Sequence, residues 1–398
     1  MATKKAPSAR STSHSTYSHS TLRYAHPFFT TTPPAQRVPV NGNKRLTDWS
    51  KQQLGPVPPV LRGGRMDLTE VIGAAGVTEI EGVGEIRFHA LGDSGVGMAH
   101  EAELVGEEMA TDYKAGAGGL NPAFLLHLGD VIYGPDKEAH YGDRFYRPYR
   151  HYPGKILAIP GNHDGEVRST ADSPSLSSFR ANFCANTATV PPPASGIGIF
   201  RETMMQPGVY WLLDAPFVRI IGLYSNLLEN PGYLEGAGGD TSQLTWLSTT
   251  LGAIARMRDN KALIIATHHP PYSQSGHSGS TDMNKSITDA CTAAGVMPHA
   301  VFSAHAHNYQ RYTRRISGKQ VLYIVAGGGG MPPQPVAPAS GQPADATNEV
   351  TYDAAMESLG YLFVTVSASQ LKTEFWPLGQ QTTPFDPVTV DLAAHTVG

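Results

Sequence analysis

The sequence has little cysteine and no long apolar run. Its 398 residues include only two cysteines, Cys184 and Cys291. Their separation excludes both a Cys-x-x-Cys redox pair and the closely spaced cysteines of a zinc finger. The sequence leaves open whether they form one disulfide or are two small buried thiols. Because no apolar stretch is long enough to span a bilayer, we expect no transmembrane helix.

An excess of charge of one sign is also lacking. The formal net charge is −4, and no block of like charges occurs. This balance predicts neither a nucleic-acid partner nor an electrostatic attachment to a membrane. An anionic ligand would have to be held by metal ions or by a few local cations rather than by a basic surface. The composition carries no information on the oligomeric state.

The first 36 residues contain no Asp or Glu and no apolar centre. They are rich in Ser, Thr, His and Pro. Their Lys and Arg residues are Lys4, Lys5, Arg10 and Arg23. A secretory signal needs an apolar central region, so residues 1–40 are predicted to be a disordered tail or extension. Transit peptides share this basic, hydroxyl-rich composition, so the sequence leaves the compartment open.

The remainder is predicted to form one main domain, residues 86–398, preceded by a helical extension at residues 41–85. Two short helices are expected in this extension, at residues 46–54 and 67–72. Pro56 and the prolines that follow it end the first of them. We expect the extension to pack on the main domain.

Apolar runs alternate with amphipathic stretches from residue 86 onward. Five runs are short, mostly apolar and followed at once by a polar motif, which is typical of buried strands in a sheet covered on both faces. They are residues 86–91, 124–128, 156–159, 262–266 and 300–303. Helical spacing recurs in two places. Its apolar positions are Met98, Ala102, Val105, Met109 and Tyr113 in the first, and Leu244, Leu247, Leu251 and Ile254 in the second.

The other elements complete a mixed sheet system with helices outside. Two apolar runs flank a Pro within residues 210–226, which predicts an antiparallel hairpin. Late strands are expected at residues 321–326 and 361–366. Residues 331–348 are rich in Pro, Ala, Gly and Gln and are predicted to form a long mobile loop near the mouth of a site.

Five polar motifs follow the five apolar runs. They are Gly92-Asp93-Ser94-Gly95, Gly129-Asp130-Val131-Ile132-Tyr133, Gly161-Asn162-His163-Asp164, His268-His269-Pro270-Pro271-Tyr272 and His305-Ala306-His307-Asn308-Tyr309. Each motif alone is weak evidence, because Gly-Asp suits turns and Asp93 by itself fits a helix cap. Together they bring carboxylates, an amide, a phenol and imidazoles to strand ends, where open α/β sheets bind ligands. Such side chains can hold two adjacent metal ions, an arrangement that hydrolyses phosphate esters.

The five motifs resemble those of the purple acid phosphatases, a branch of the calcineurin-like metallophosphoesterases, over residues 86–330. The resemblance implies an α/β fold, a four-layer αββα sandwich of two mixed β-sheets with a dimetal site at the carboxyl ends of strands. Tyr133 indicates the branch. Most of the wider family have a metal-binding His two residues after the first Asp, where this chain has Gly95. A phenolate oxygen can replace that His, and it favours Fe(III) over Zn(II).

The ligand sets are implied by the resemblance. The first metal, Fe(III), is expected on Asp93, Asp130, Tyr133 and His307. The second, a divalent Fe, Zn or Mn ion, is expected on Asp130, Asn162, His268 and His305. His-x-Pro spacing favours His268 over His269. Residues two apart in an extended segment point to the same face, so His305 and His307 can reach adjacent ions.

Three further residues are candidates for catalysis. His163 is expected to protonate the leaving group, with Asp164 orienting its ring. His277 is aligned only loosely with a phosphate-contacting His, and a solvent-exposed position fits it nearly as well. The implied reaction is hydrolysis of a phosphomonoester, in a small molecule or a phosphoprotein, by in-line attack of a metal-bound hydroxide. The alternatives are a phosphodiesterase of phospholipase type and, less favoured, a non-catalytic protein-binding scaffold.

Overall fold

The computed structural model describes residues 55–95, 100–257, 259–339, 341, 343–345, 349–380 and 382–398. The predicted tail at residues 1–40 and the helix predicted at 46–54 lie outside the described residues, as does Met98. Within the described residues, no helix has both the length and the apolar surface needed to cross a membrane.

The described residues form sixteen β-strands and eight α-helices. The strands are β1 (Arg65–Asp67), β2 (Glu85–Leu91), β3 (Phe124–His127), β4 (Lys155–Ala158), β5 (Trp211–Asp214), β6 (Val218–Gly222), β7 (Ala262–Ala266), β8 (Ala300–Ser303), β9 (Tyr309–Ile316), β10 (Lys319–Ala326), β11 (Pro343–Asp345), β12 (Val350–Met356), β13 (Gly360–Ser367), β14 (Gln370–Pro377), β15 (Phe385–Asp391) and β16 (Thr396–Val397). The helices are α1 (Leu68–Val83), α2 (His100–Ala110), α3 (Lys137–Tyr141), α4 (Asn162–Gly165), α5 (Ser177–Phe183), α6 (Pro192–Ser195), α7 (Ser242–Met257) and α8 (Thr281–Ala294).

The strands form two mixed sheets. The nine-stranded sheet has the order β1-β5-β6-β7-β8-β10-β9-β12-β11, and the seven-stranded sheet has the order β16-β15-β14-β13-β2-β3-β4. Strands β2, β3 and β4 run parallel at one end of the smaller sheet, and β6, β7 and β8 run parallel within the larger one. Because parallel strands end at the same edge of a sheet, the motif-bearing loops emerge together.

Three apolar clusters define four layers. The central cluster lies between the sheets and joins Phe88 and Leu126 of the smaller sheet to Ile264 and Phe302 of the larger one. A second cluster covers the outer face of the smaller sheet and includes Val105 of α2. The third lies under α7 and α8 on the larger sheet. Alternate side chains of each strand point to opposite faces of the sheet. Because an apolar cluster covers each face, both sheets are buried on both sides. The predicted four-layer αββα sandwich is confirmed.

Most predicted elements are confirmed, and two regions differ from expectation. The five apolar runs are β2, β3, β4, β7 and β8. The helix predicted at residues 67–72 continues, after a kink at Gly73 with φ 80°, as the longer α1. The preceding β1 pairs with β5, so the region expected to be a helical extension also contributes a strand to the larger sheet.

A partly buried carboxylate links the two sheets next to the last motif. Asp386 of β15 accepts hydrogen bonds from the Tyr309 hydroxyl at 2.9 Å and from Arg311 Nε at 2.6 Å. Tyr309 and Arg311 begin β9, directly after the segment that carries His305 and His307. Tyr309 and Arg311 therefore anchor the segment that carries His305 and His307 to the smaller sheet.

The two cysteines are free thiols, which excludes the disulfide alternative. Burial raises the pKa of both the Cys184 and Cys291 thiols to about 12. At neutral pH both are therefore protonated and poorly nucleophilic.

Candidate metal centre

Three of the expected ligands occupy strained turns immediately after strands. Asp93, Asp130 and His305 have φ values of 63°, 55° and 67°. This left-handed region is uncommon for residues other than glycine, although Asp and His enter it more often than most. Each such residue costs on the order of 1–3 kcal/mol, so the surrounding structure must hold it there. In each case the turn directs a buried polar side chain toward the same space between the sheet edges.

Two glycines allow these turns to approach one another. A Cβ atom on Gly95 would overlap the backbone carbonyl of Val131, and one on Gly161 would overlap the side chain of Asp130. The Tyr133 amide donates to the Gly95 carbonyl oxygen at 3.1 Å. The space in which a His side chain at position 95 would begin is therefore filled by the loop that carries Tyr133.

His268 is fixed in one tautomer by the main chain. Its Nδ1–H donates to the carbonyl oxygen of Leu128 at 2.9 Å. Its Nε2 atom therefore carries a lone pair in the neutral ring, and that atom lies 3.1 Å from Asn162 Oδ1 and 3.3 Å from Asp130 Oδ2. A hydrogen bond donated by the non-ligating ring N–H to a main-chain carbonyl oxygen is the usual way in which proteins orient a metal-binding His.

His305 faces the same point with its other nitrogen. Its Nε2–H donates to the carbonyl oxygen of Glu229 at 2.6 Å, and its Nδ1 atom lies 3.2 Å from His268 Nε2. Candidate ligand atoms of His305, His268 and Asp130 all lie within 4.8 Å of one another.

The expected site of the second metal therefore contains several lone pairs but too few N–H or O–H groups to form hydrogen bonds with all of them. Asn162 turns its oxygen to His268, while its buried Nδ2 atom has no hydrogen-bond partner. Lone pairs on two imidazoles, an amide and a carboxylate repel one another in a buried space unless a cation lies between them. Without a metal, a proton on His268 must serve instead. Burial opposes that proton, but Asp130 outweighs it and raises the pKa of His268 to about 9. The donor set fits a divalent metal ion.

The first site gathers acidic groups. The Tyr133 hydroxyl donates to Asp93 Oδ1 at 3.0 Å, and His307 Nε2 lies 3.7 Å from the same oxygen. Burial raises the pKa of Asp93 to about 8, with Asp130 adding to the shift. Burial also raises the pKa of Tyr133 well above its usual value, again with help from Asp130 and Asp93. These acidic groups oppose one another's ionisation, so a highly charged cation between them would favour their ionised forms. Phenolate oxygen is also a hard ligand, which suits a trivalent ion.

All seven expected ligands are thus brought together. Asp130 is close to members of both sets: its Oδ2 atom lies 3.3 Å from His268 Nε2, and its charge contributes to the raised pKa values of Asp93 and Tyr133. The burial of six of the seven is nearly complete, with at most 7 % of each residue exposed: Asp93, Asp130, Asn162, His268, His305 and His307.

Asp164 lies in the centre but does not contact His163 through its carboxylate. It accepts from the backbone amides of Gly161 at 2.8 Å, Ile132 at 3.0 Å and Val131 at 3.1 Å. These bonds join the turn that carries Asp130 to the turn that carries Asn162. The sequence-based expectation that Asp164 orients His163 is replaced by this link between two ligand-bearing loops.

Glu166 is the partner of His163. Its Oε2 atom accepts from His163 Nδ1 at 3.0 Å across one turn of α4. This leaves Nε2 of the ring free to face a substrate. Burial opposes a charge on this His, but Asp130 and Glu166 outweigh it and raise the pKa of His163 to about 9. The ring packs against Tyr133, with ring centroids 4.4 Å apart.

His277 is part of the centre rather than a solvent-exposed loop residue. Its ring centroid lies 4.2 Å from that of His305 and 5.6 Å from that of His307. The side chain is 14 % exposed, and Nδ1 lies 3.5 Å from Glu229 Oε1. The Gln334 side-chain amide meets Nε2 of His277 at 2.9 Å. Gln334 belongs to the segment 331–348, which the sequence predicts to be a loop near the mouth of a site; among its described residues, Gln334 lies beside His277 and residues 343–345 form β11.

His269 and Ala304 have structural roles. His269 uses both ring nitrogens on Ser225 and on the Leu228 carbonyl, at 2.8 and 2.7 Å, so neither is left for a metal. Burial lowers its pKa to about 3. The methyl group of Ala304 fills the space next to Gly92, where a second Cβ would overlap it.

Sequence reasoning missed Glu166 and Gln334. The spacing of His163 and Glu166 could have indicated their contact, because residues three apart meet on one helical face. No local signal could have found Gln334, which reaches His277 across 57 positions of the chain.

One family model and several solved structures are similar to this chain. The model of the calcineurin-like phosphoesterase family matches residues 86–309. GAP50, the anchor in the inner membrane complex of Plasmodium, is similar at 12 % identity and TM-score 0.52, over 77 % of this chain and 88 % of that one. PhoD aligns at 10 % identity and TM-score 0.49, over 79 % and 71 %. A phosphatase from Mycoplasma pneumoniae aligns at 14 % identity and TM-score 0.34, over 79 % and 91 %. No curated protein sequence matches this chain significantly.

Proposed function

The chain belongs to the calcineurin-like phosphoesterase family, and we propose that it is a phosphomonoesterase of the purple acid phosphatase type. Family membership implies phosphoester hydrolysis at two metal ions. The observation that carries the finer proposal is the contact of Tyr133 with Asp93 in a position where Gly95 excludes an imidazole. A phenol among buried carboxylates suits a ferric ion, the hallmark implied by that resemblance.

The residues that would hold the metals follow from the geometry. Asp93, Tyr133 and His307 would hold Fe(III), and Asn162, His268 and His305 a divalent Fe, Zn or Mn ion. Asp130 would bridge them. Two adjacent metal ions supply a nucleophile near neutral pH and neutralise the charge that develops on the phosphoryl oxygens.

The protein's own groups complete the reaction. His163 packs against Tyr133 with its Nδ1 atom on Glu166, and its Nε2 atom can protonate the departing alkoxide. Glu166 orients the ring and, together with Asp130, favours its protonated form. His277 lies beside His305 and His307, and it can donate a hydrogen bond to a phosphoryl oxygen once the Gln334 amide leaves its Nε2 atom.

A monoester substrate is supported by the closeness of the surrounding loops. The backbone N–H of Gln334 donates to the His307 carbonyl oxygen at 2.8 Å, so this segment is held against the loop that carries His307. Among the arginines that follow Tyr133, Arg144 donates to the Tyr133 carbonyl, whereas Arg147 and Arg150 pair with Asp143 and with Glu103. A second ester substituent would need room that these contacts reduce.

A non-catalytic scaffold is disfavoured by the same centre. Strained ligand turns and buried unpaired donors cost stability, and they serve a purpose only when metal ions bind.

The test measures hydrolysis of an aryl phosphate by the metal-loaded protein and by Asp130→Ala and His163→Ala. Asp130→Ala should lose the bound metals and nearly all activity. His163→Ala should keep the metals and lose about 100-fold or more in kcat, the usual contribution of a general acid. His151→Ala, an exposed His paired with Glu107, is the matched control. Unchanged rates in both variants would refute the proposal, and faster turnover of diesters than of monoesters would replace it with a phosphodiesterase.

A further inference from the structure

One carboxylate oxygen joins His163 to an arginine. Glu166 Oε2 lies 3.0 Å from His163 Nδ1 and 2.6 Å from Arg168 Nε. The Arg168 guanidinium is therefore two hydrogen-bond lengths from the ring expected to protonate the leaving group. The side chains of His163 and Glu166 are 18 % and 14 % exposed, whereas that of Arg168 is 30 % exposed. Arg168 is thus the most accessible of the three.

The backbone of Arg168 is fixed relative to the metal centre. The Arg168 and Ser169 amides donate to Asp172 Oδ2 at 3.2 and 3.1 Å. The other oxygen of Asp172 accepts from the Lys137 amide at 2.9 Å, four residues after Tyr133. The Lys137 ammonium donates to the Glu166 carbonyl at 2.5 Å. These contacts tie the Arg168 loop to the loop that carries Tyr133, so the guanidinium has a defined position beside the site.

The charge of Arg168 is only partly compensated. Within the described residues, Nε is its one guanidinium nitrogen with a hydrogen bond, and Glu166 shares its oxygen with His163. Burial opposes the charge on Arg168, but Glu166, Glu229 and Asp130 outweigh it and raise its pKa above the ordinary value.

We propose that Arg168 binds an anionic substituent on the leaving group, so that the preferred substrates are phosphomonoesters of alcohols that carry a carboxylate or a second phosphate. The inference rests on the proposed phosphomonoesterase function. The leaving oxygen must approach His163 to be protonated, so the rest of the leaving group extends along the wall formed by His163, Glu166 and Arg168. The terminal nitrogens of a guanidinium form a planar fork that matches a carboxylate or phosphate.

The experiment compares two substrates that differ only in this substituent, phenyl phosphate and carboxyphenyl phosphate. The measured quantity is the kcat/KM of carboxyphenyl phosphate divided by the kcat/KM of phenyl phosphate, both with the metal-loaded enzyme. In Arg168→Gln this ratio should fall about tenfold or more, mainly through the KM of the carboxylated substrate, as expected for the loss of a charge-assisted hydrogen bond. Arg168→Lys keeps the charge but not the fork, so its ratio should lie between those of the other two enzymes. The exposed Arg180→Gln is the matched control and should keep the wild-type ratio.

Each other outcome has a defined meaning. If Arg168 only supports Glu166, Arg168→Gln slows both substrates equally and the ratio stays constant, which overturns the inference but leaves the proposed function intact. If the metal-loaded wild type hydrolyses neither monoester, the proposed function fails and the inference fails with it. A further comparison asks whether Arg168 binds a carboxylate or a phosphate substituent. Inhibition by benzoate and inhibition by phenylphosphonate are each measured in the wild type and in Arg168→Gln. Equal inhibition of both enzymes by both compounds also overturns the inference.

Discussion

The hydroxyl of Tyr133 donates a hydrogen bond to Oδ1 of Asp93 at 3.0 Å. The two residues come from different loops, 40 positions apart, and both face the expected ferric site. In the absence of a metal the phenol keeps its proton, because burial, Asp130 and Asp93 hold the pKa of Tyr133 far above its usual value. Binding of a trivalent cation should displace that proton.

Replacement of this phenol tests the ferric assignment. Tyr133→Phe keeps the ring that packs on His163 but removes the oxygen, so the variant should lose the visible charge-transfer absorption of the iron-loaded protein. Its iron content should also fall, because the site loses one of four ligands. Absorption spectra and metal analysis of both proteins measure these changes. An iron-loaded variant that keeps the wild-type visible band would contradict the assignment.

Asp164→Asn should chiefly reduce stability. The carboxylate accepts three backbone amides, and an Asn amide nitrogen in place of either oxygen leaves at least one of them unpaired. The free energy of unfolding should fall by about 1–3 kcal/mol, measured by urea denaturation. A variant of wild-type stability that has lost activity would instead assign Asp164 a direct role in catalysis.

Glu166→Gln should chiefly reduce the rate. The amide still reaches His163 and Arg168, but it no longer supplies the negative charge that orients and stabilises a protonated imidazole. We expect kcat for an aryl phosphate to fall about tenfold to hundredfold, part of the full contribution of a general acid. Glu202→Gln, which alters an exposed pair with Lys155, is the control. Equal kcat values in all three proteins would exclude Glu166 from catalysis.

Gly95→Ala tests the close packing beneath Tyr133. Its methyl group would overlap the Val131 carbonyl, so the Tyr133 loop must move. Stability should fall by about 1–3 kcal/mol, and iron binding should weaken with it. Gly252 in α7 has open space around its Cβ position, so Gly252→Ala should instead stabilise the protein, by about 0.5–1 kcal/mol. Thermal denaturation of both variants gives the comparison, and a neutral Gly95→Ala would show that the loop adapts freely.

A stacked histidine pair far from the metals should make stability depend on pH. The rings of His299 and His395 lie 4.3 Å apart at an angle of 14°. Burial and the neighbouring His395 lower the pKa of His299 to about 4. Between the unfolded pKa of about 6.5 and pH 4, the unfolded chain binds a proton that the folded protein does not, so the free energy of unfolding falls as the pH falls.

His299→Gln removes this titration. Between pH 6.5 and 4 the variant should lose about 1–3 kcal/mol less stability than the wild type, because each unit of pKa shift corresponds to about 1.4 kcal/mol. Urea denaturation at several pH values measures the two slopes, with His151→Gln as an exposed control. Parallel slopes for His299→Gln and the wild type would rule out this pair as a source of acid sensitivity.

Short-range patterns in the sequence predicted much of the fold, and the motifs at the strand ends predicted which side chains gather at the candidate metal centre. The apolar runs ending at Leu91 and Ala266 are buried on both faces, so their composition alone marks them as strands. Strands such as β9 and β12 carry mixed polar residues, and only their pairing with neighbours defines them. That pairing joins residues far apart in the chain, which no local pattern records.

The sequence by itself determined which side chains are available for metals and in what order they follow the strands, because ligand chemistry and strand periodicity are local properties. Only the tertiary structure decided that Glu166 rather than Asp164 holds His163, that His268 and His305 offer opposite ring nitrogens, and that Gln334 reaches His277. These choices depend on which backbone carbonyls and carboxylates lie within about 3 Å, and that distance is set by the packing of loops from two separate sheets.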